Sequence, residues 1–422
     1  MNMNLLSNDE SVANRFPSGK ALDLVAVVKG LKTCFEGLVG KSLSYSDFSA
    51  IVDEVGASEG SHPSFGDHND YIGSNEPKSL FTGEKSMGNV DMDKRFRGQF
   101  FTIANPFDHS AFWDWWKTIP DEDKETLLEP FAGANNIVEM LQMLGINSRW
   151  DCYDVDPVSV ENNKTPEFEI RQRDTLKDFP TGYKVGITNP PYLAKNSAAR
   201  RKIPYEYPEF GDLYKKSLDV MLSNLDYVAA IIPESFITAN MFHDRLYAVV
   251  SLTNRMFDDT DCPVCLALFS PADGDEDFYV YARNEKQTYL ELTKRCEQVL
   301  ASSTDVPWRM NDPNGTIGMQ CIDGTSGGDG IRFTDDFEGW KIVHSSRSYT
   351  RISGLPEGMD ANAVMDRANE ILRQYRAVSQ DVFMTSFKNL RKDGLYRRRI
   401  DFGTVRRILS RAVEDVNGGP IL

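Results

Sequence analysis

The 422-residue sequence lacks the long apolar runs of a membrane protein. Its apolar stretches, such as "YVAAIIP" and "VCLALFS", are far shorter than the roughly 20 residues that a bilayer crossing requires. The opening "MNMNLLSNDESVANRF" has no basic region leading into an apolar core, so we expect no secretory signal. These absences predict a cytoplasmic protein without membrane contact.

Cysteine is scarce, and its six residues are scattered as in proteins of a reducing compartment. Cys262 and Cys265 form one C-x-x-C pair, but a zinc site needs a second pair of ligands at matching spacing, and the sequence has none. We therefore expect buried structural cysteines and no metal site.

Net positive charge is also lacking, since the formal net charge is −16, which argues against general attraction to nucleic acid. Basic residues are nevertheless concentrated locally. Between Phe387 and Arg411 there are nine basic residues against two acids, and a second group comprises Lys195, Arg200, Arg201 and Lys202. A basic surface on an acidic body is compatible with a polyanion held in one groove.

The chain divides into three regions by pattern. Residues 1–96 predict a small helical accessory region and a linker rich in Gly, Ser, Asn and Asp. Residues 97–272 alternate short apolar strands with helices, which predicts an α/β domain with a mostly parallel, Rossmann-like sheet. Residues 273–422 are less regular and end in the basic segment.

Polar residues follow several of the predicted strands, at the edge where such sheets bind ligands. In "EPFAGANN", small residues around Gly133 allow a tight turn before a helix. Asp154 ends the next strand and can accept hydrogen bonds from ribose hydroxyls, whereas Asp156 is the better helix cap. Asp174, after a third strand, can accept from an adenine amino group, although on its own it reads as a turn residue.

The quartet "NPPY", residues 189–192, follows a fourth predicted strand. The side-chain oxygen of Asn189 and an adjacent backbone carbonyl, held by Pro190 and Pro191, form a pair of acceptors for a planar amino group. They would stabilise positive charge that grows on the nitrogen as it attacks, without a strong base. Tyr192 offers a ring on which a base can stack.

These residues together resemble the class I S-adenosylmethionine-dependent methyltransferases that modify exocyclic amino groups, in particular N6-adenine DNA methyltransferases of the gamma order. The resemblance covers about residues 97–271 and lies in the ordered series of motifs. That series is "RGQFFT", "EPFAGAN", Asp154, Asp174, "NPPY", "YVAAIIPESFI" and "NRMFDDTDCPVCLALF".

The resemblance implies a sheet whose last strand is antiparallel, S-adenosylmethionine as the cofactor and a role for each matching position. The implied cofactor-binding residues are Thr102, Glu129, Phe131, Gly133, Asn135, Asp154, Asp174 and Asn189. Asn189, Pro190, Pro191 and Tyr192 form the catalytic motif, and Phe257 stacks on the base opposite Tyr192. Where the family carries a second glycine this chain has Asn135, whose side chain could either crowd the cofactor or contact it.

The resemblance also implies target recognition by residues 273–422, which fits double-stranded DNA as the partner. Arg397, Arg398 and Arg399, with the group around Lys195, are the predicted backbone contacts; a solvated helix face is the alternative for the three arginines. A restriction–modification system with a cognate endonuclease, an orphan enzyme and a virus are the contexts considered, in a prokaryotic or virus-infected cell.

Three alternatives remain open. N5-glutamine methyltransferases and some RNA methyltransferases share the quartet, but they are generally compact, whereas this chain has some 150 residues after the catalytic domain. An inactive module of the same fold is the second. Cytosine N4 methylation is the third, although its motif more often begins with Ser, so that Asn189 favours adenine.

Overall fold

The computed structural model describes most of the chain from residue 105 onward. The described residues are 105–252, 262–274, 276–283, 285–325 and 330–418, without the side chains of residues 160 and 388. The predicted accessory region, Thr102 and Phe257 lie outside the described residues.

The largest sheet has nine strands in the order β3-β2-β1-β4-β5-β7-β6-β8-β9. They are β1 (Thr126–Glu129), β2 (Arg149–Asp154), β3 (Ile170–Gln172), β4 (Val185–Thr188), β5 (Tyr227–Pro233), β6 (Leu246–Ser251), β7 (Val264–Phe269), β8 (Tyr279–Ala282) and β9 (Glu285–Thr288).

The five strands from β3 to β5 in this order are parallel. Strand β7 is antiparallel to both of its neighbours, β5 and β6. The order of the strands reverses between β1 and β4, which makes their carboxyl ends the expected ligand-binding point. The predicted mostly parallel, Rossmann-like sheet is thus confirmed, including the antiparallel strand "VCLALF".

Helices and two smaller sheets complete the described residues. The helices are α1 (Ser110–Thr118), α2 (Asn136–Met143), α3 (Pro157–Glu161), α4 (Lys195–Arg201), α5 (Leu213–Asn224), α6 (Tyr289–Leu300), α7 (Ala361–Ser379) and α8 (Phe402–Val416). The smaller sheets consist of β10 (Arg309–Met310), β11 (Ile317–Gln320), β12 (Arg332–Thr334) and β13 (Tyr349–Ser353), and of the hairpin β14 (Thr385–Leu390) and β15 (Tyr396–Arg399).

The described chain has two hydrophobic cores. The first lies on the nine-stranded sheet, whose strands β4 and β7 are buried at every residue; Cys265 on β7 is fully buried. The second lies between the four-stranded sheet and helices α6, α7 and α8. Helix α6 joins the two, since Leu292 belongs to the first core and Cys296 and Leu300 to the second.

The nine-stranded sheet continues beyond residue 272, where the sequence pattern placed a domain boundary. Strands β8 and β9 extend the sheet beside β6, and α6 begins directly after β9. Among the described helices, none has the length and apolar composition needed to cross a membrane.

Candidate functional site

The predicted site residues of four neighbouring strands lie at one edge of the sheet. Glu129 is the last residue of β1 and Asp154 the last of β2, while Asn189 directly follows β4. Asp174 follows β3 by two residues. Because these four strands are parallel neighbours, their carboxyl ends place the four side chains around the point where the strand order reverses.

Glu129 is a buried acid with one unused oxygen. It is 1% exposed. Its Oε1 accepts hydrogen bonds from the backbone N–H of Phe131, at 3.0 Å, and from the hydroxyl of Thr188. Its Oε2 has no hydrogen-bond partner among the described residues. Burial raises the pKa of Glu129 to about 8, so that the free protein holds this carboxyl protonated at neutral pH.

Asp154 holds the glycine-rich turn in place. The backbone N–H of Gly133, in the left-handed region with φ of 53°, donates to Asp154 Oδ2 at 2.8 Å. Asp154 Oδ1 accepts from the N–H of Asp156 at 2.8 Å. Burial raises the pKa of Asp154. Asp156 caps α3 through the N–H of Val158, as predicted, and the hydroxyl of Ser159 also hydrogen-bonds Asp154.

Asn135, which was predicted to stand in place of a glycine, has a left-handed backbone, at φ of 59° and ψ of 28°. Asn adopts this region more readily than other side chains, which is why it can replace glycine there. Its buried amide nitrogen donates to Asn163 Oδ1 at 3.0 Å and to the carbonyl of Phe168 at 3.3 Å. The side chain is therefore held by the connection between α3 and β3.

Asp174 lies in the turn after β3 and is half-exposed. Its Oδ1 accepts from the N–H of Leu176 at 3.2 Å, and Lys177 Nζ lies 3.4 Å from its Oδ2. The hydroxyl of Thr175 donates to the carbonyl of Pro130 at 2.9 Å. This bond connects the turn that carries Asp174 to the glycine-rich turn. The two turns, each of which is predicted to contact the cofactor, therefore form one connected surface.

The quartet directly follows β4, between β1 and β5 in the sheet. The hydroxyl of Tyr192 lies within hydrogen-bond distance of Asn189 Oδ1 and of the carbonyl of Ile231 on β5. Tyr192 is 9% exposed, and its ring meets Tyr214 edge to face at 6.4 Å. Burial raises the pKa of Tyr192 well above its usual value, so the hydroxyl stays a neutral donor. This contact fixes the Asn189 amide.

The first basic group lies next to the quartet. Helix α4 begins three residues after Tyr192, and its side chains Lys195, Arg200 and Arg201 are exposed, as is Lys202, which ends it. This is the exposed basic surface that the sequence predicts beside the catalytic motif.

The second basic group differs from its prediction. Arg397, Arg398 and Arg399 lie on strand β15, not on a helix. Arg398 is 8% exposed and forms a bidentate ion pair with Glu234, at 2.6 and 3.0 Å. The prediction that Arg398 contacts a nucleic-acid backbone needs correction, because its guanidinium is buried and paired within the protein. Arg397 and Arg399 are half-exposed.

Glu234 and Thr188 are site residues that sequence reasoning missed. The sequence marks Glu234 only as part of a Pro-Glu-Ser after a strand, and nothing in it connects that acid with an arginine 164 positions away. Thr188 precedes the quartet, and its bond to Glu129 depends on the pairing of β1 with β4.

Comparisons with protein-family models and with curated proteins find no match. Solved structures with a similar fold include the methyltransferase subunit of a type I restriction-modification system from Streptococcus thermophilus, with 16% identity over 42% of this chain and 46% of that chain, at a TM-score of 0.31. The type IIG restriction endonuclease BpuSI has 16% identity over 45% of this chain and 28% of its own, at 0.35. A putative RNA methyltransferase from Pyrococcus horikoshii has 15% identity over 42% and 89%, at 0.30.

The matched region spans less than half of the length of the first two proteins. At these identities and scores the similarity carries no argument about substrate or activity. The assignment of the fold rests on the strand order of the sheet itself.

Proposed function

We propose that this protein is an S-adenosylmethionine-dependent DNA methyltransferase that modifies the N6 amino group of an adenine extruded from double-stranded DNA. The observation that carries the proposal is the Asn189 amide, held by the neutral hydroxyl of Tyr192 at the point where the strand order reverses. The acids expected to bind the cofactor surround the same point.

The residues around the glycine-rich turn fit S-adenosylmethionine. When bound, this cofactor supplies an electrophilic methyl group. Glu129 Oε2, which is buried and has no partner among the described residues, would accept a hydrogen bond from the ammonium group of the cofactor. Asp154 would accept from ribose hydroxyls and Asp174 from the adenine amino group. Phe131, Gly133 and Asn135 line the turn between these acids.

Asn189 would act as a hydrogen-bond acceptor for the substrate amino group. Its Oδ1 contacts the hydroxyl of Tyr192 and would accept one hydrogen of the substrate amino group. The adjacent backbone carbonyl, held by Pro190 and Pro191, would accept the other hydrogen. Both acceptors stabilise positive charge that develops on the substrate nitrogen in the transition state, so no general base is required. The raised pKa of Tyr192 agrees with a positioning donor and not with a base.

The exposed helix α4 favours a polyanionic substrate over a glutamine side chain. Its four basic residues lie next to the quartet, where the backbone of a duplex would pass as a base is extruded. An inactive module was considered because the side chain of Asn135 could crowd the cofactor. That side chain is hydrogen-bonded to Asn163, which weakens the case for an inactive module. A restriction–modification system, with a cognate endonuclease as a candidate partner, is the proposed context, beside an orphan enzyme or a virus.

Asn189→Ala tests the proposal. Because the amide acts in the transition state, we expect methyl transfer from labelled cofactor to fall by about a thousandfold, while duplex binding stays within about twofold of the wild-type protein. Asn224→Ala, an exposed position at the end of α5, is the matched control. Retained turnover by Asn189→Ala would refute the role of the amide.

A further inference from the structure

Glu234 lies at the same edge of the sheet as Asn189. Strands β4 and β5 are parallel neighbours with Thr188 opposite Ala230, and β5 continues for three more residues to Pro233, so Glu234 lies further along the same edge than Asn189. Glu234 directly follows β5 and begins a 3-10 helix, Glu234–Thr238. It is 3% exposed. A carboxylate is thus buried beside the quartet, where it needs a partner.

Arg398 and Ser386 of the β14–β15 hairpin are its partners. Arg398 Nη1 lies 2.6 Å from Glu234 Oε2, and Nη2 lies 3.0 Å from Oε1. Ser386, opposite Arg398 in the hairpin, contacts Glu234 Oε2 and accepts from Arg398 Nη1 at 2.6 Å. The hydroxyl of Ser251 on β6 contacts the other carboxylate oxygen. Both carboxylate oxygens of Glu234 therefore have partners within the protein.

The backbone of Arg398 belongs to the other core. Its N–H donates to Asp323 Oδ2 at 3.0 Å, and its carbonyl accepts from the N–H of Asp323 at 2.9 Å. Asp323 in turn is paired with Arg376 of α7 at 2.8 and 3.0 Å. One residue thus connects the catalytic sheet, through its side chain, with the C-terminal region, through its backbone.

A second ionic contact reinforces the first. Arg283, which follows β8, contacts Asp381, which is fully buried. Arg376 bonds both Asp381 and Asp323, so its guanidinium links the Arg283–Asp381 contact to the acid that bonds the backbone of Arg398.

The hairpin that these contacts hold is strongly basic. Residues 386–399 contain six basic residues and one acid. Side chains alternate along a strand, so Arg397 and Arg399 lie on the face opposite to Arg398 and are half-exposed. Arg397 Nε also donates to the carbonyl of Asp323. Lys392, in the turn of the hairpin, is exposed.

We propose that the Glu234–Arg398 pair positions the β14–β15 hairpin beside the quartet, so that the outward-facing basic residues of the hairpin grip the DNA backbone next to the extruded adenine. Glu234 and Arg398 are positioning residues and contact no substrate. Buried ion pairs add little net stability, but they fix geometry, because their partners must meet in one arrangement. The inference rests on the proposed function for the identity of the substrate.

The paired variant Glu234→Met with Arg398→Met separates the effect of the ion pair on the position of the hairpin from its effect on the stability of the fold. Removing both charges is often neutral for stability, whereas removing one leaves the other buried and unpaired. We expect this variant to fold and to bind the cofactor normally, with the KM for duplex DNA raised about tenfold and kcat changed less than about threefold. The matched control is Glu297→Gln, which breaks the exposed pair between Glu297 and Arg407.

Hydrogen exchange supplies a readout that does not depend on activity. In the paired variant, the amides of residues 385–399 should exchange faster while those of β1 and β4 stay protected. Ser386→Ala, which removes a neutral hydroxyl only, should show a smaller effect in the same direction. Wild-type KM in a folded paired variant would overturn the inference. Equal losses of kcat, cofactor affinity and thermal stability would also overturn it, since they indicate a structural role alone.

Binding of a labelled duplex separates this inference from the proposed function. If the wild-type protein methylates no DNA but binds duplex, and the paired variant binds it about tenfold more weakly, the proposed function fails and the positioning role stands. Failure of the wild-type protein to bind duplex would overturn both. Full activity with normal binding by the paired variant would overturn only the positioning role.

Discussion

At the scale of single residues, the proposed function predicts that Glu129 links cofactor binding to pH. Its pKa of about 8 in the free protein results from burial, and the ammonium group of the cofactor would reverse this by stabilising the carboxylate. The proton of Glu129 must then leave when the cofactor binds.

We therefore expect about one proton to be released per cofactor bound at pH 7, and progressively fewer as the pH rises above about 8, where Glu129 is already ionised. Titration calorimetry in buffers of different ionisation enthalpy measures this number. Glu129→Gln should abolish the release and weaken binding. The same release from the Gln variant would assign the proton to another group.

Substitutions of Asn135 test whether its side chain matters in the glycine-rich turn. Asn135→Gly keeps the left-handed conformation accessible and should bind the cofactor as the wild-type protein does. Asn135→Ala adds a strained backbone and removes two hydrogen bonds, so the free energy of unfolding should fall by about 2 kcal/mol. Urea unfolding measures the free energy of unfolding of both variants. Weaker cofactor binding by the Gly variant at unchanged stability would show that the amide itself contacts the cofactor.

Tyr192 carries two separable roles. Tyr192→Phe removes the hydroxyl that holds Asn189 but keeps the ring, so kcat should fall about tenfold while the fluorescence change of 2-aminopurine at the target base persists. Tyr192→Ala should lose the fluorescence change as well. Tyr247→Phe on β6 is the control. An unaltered kcat in Tyr192→Phe would mean that Asn189 needs no such support.

At the scale of elements, the sequence predicted the strands that are buried on both faces and missed those that depend on pairing. Strand β5 reads as a continuous apolar run, which identifies a central strand of a parallel sheet. Strand β9, "EKQT", has no apolar pattern and exists because β8 pairs with it. Helix α7 has the apolar spacing that is typical of a helix with one buried face.

Helix α4 is the element whose charge should matter most for binding. Arg200→Glu with Arg201→Glu should weaken duplex binding by about tenfold or more and lower the slope of log affinity against log salt by about 2, if each arginine neutralises one phosphate. Fluorescence anisotropy at several salt concentrations measures the slope. Lys294→Glu, exposed on α6, is the control. A slope that the double change leaves intact would exclude α4 from the interface.

At the scale of the whole molecule, local sequence patterns located the candidate site but not the way in which the two cores meet. The strand-end residues Glu129, Asp154 and Asn189 could be predicted, because parallel strands bring their carboxyl ends to one edge. The burial of Arg398 could not, since a run of three arginines reads as a solvated or phosphate-binding surface. Its partner Glu234 becomes adjacent only once both cores are folded.

The central claim is that this site transfers a methyl group to the N6 of adenine in DNA. Nucleoside mass spectrometry on unmethylated plasmid, after incubation with the full chain and S-adenosylmethionine, tests it most directly, with an RNA sample in parallel. We expect N6-methyladenine in the DNA treated with the wild-type protein and none with Asn189→Ala. Modification of the RNA alone, of cytosine, or of neither nucleic acid would contradict it.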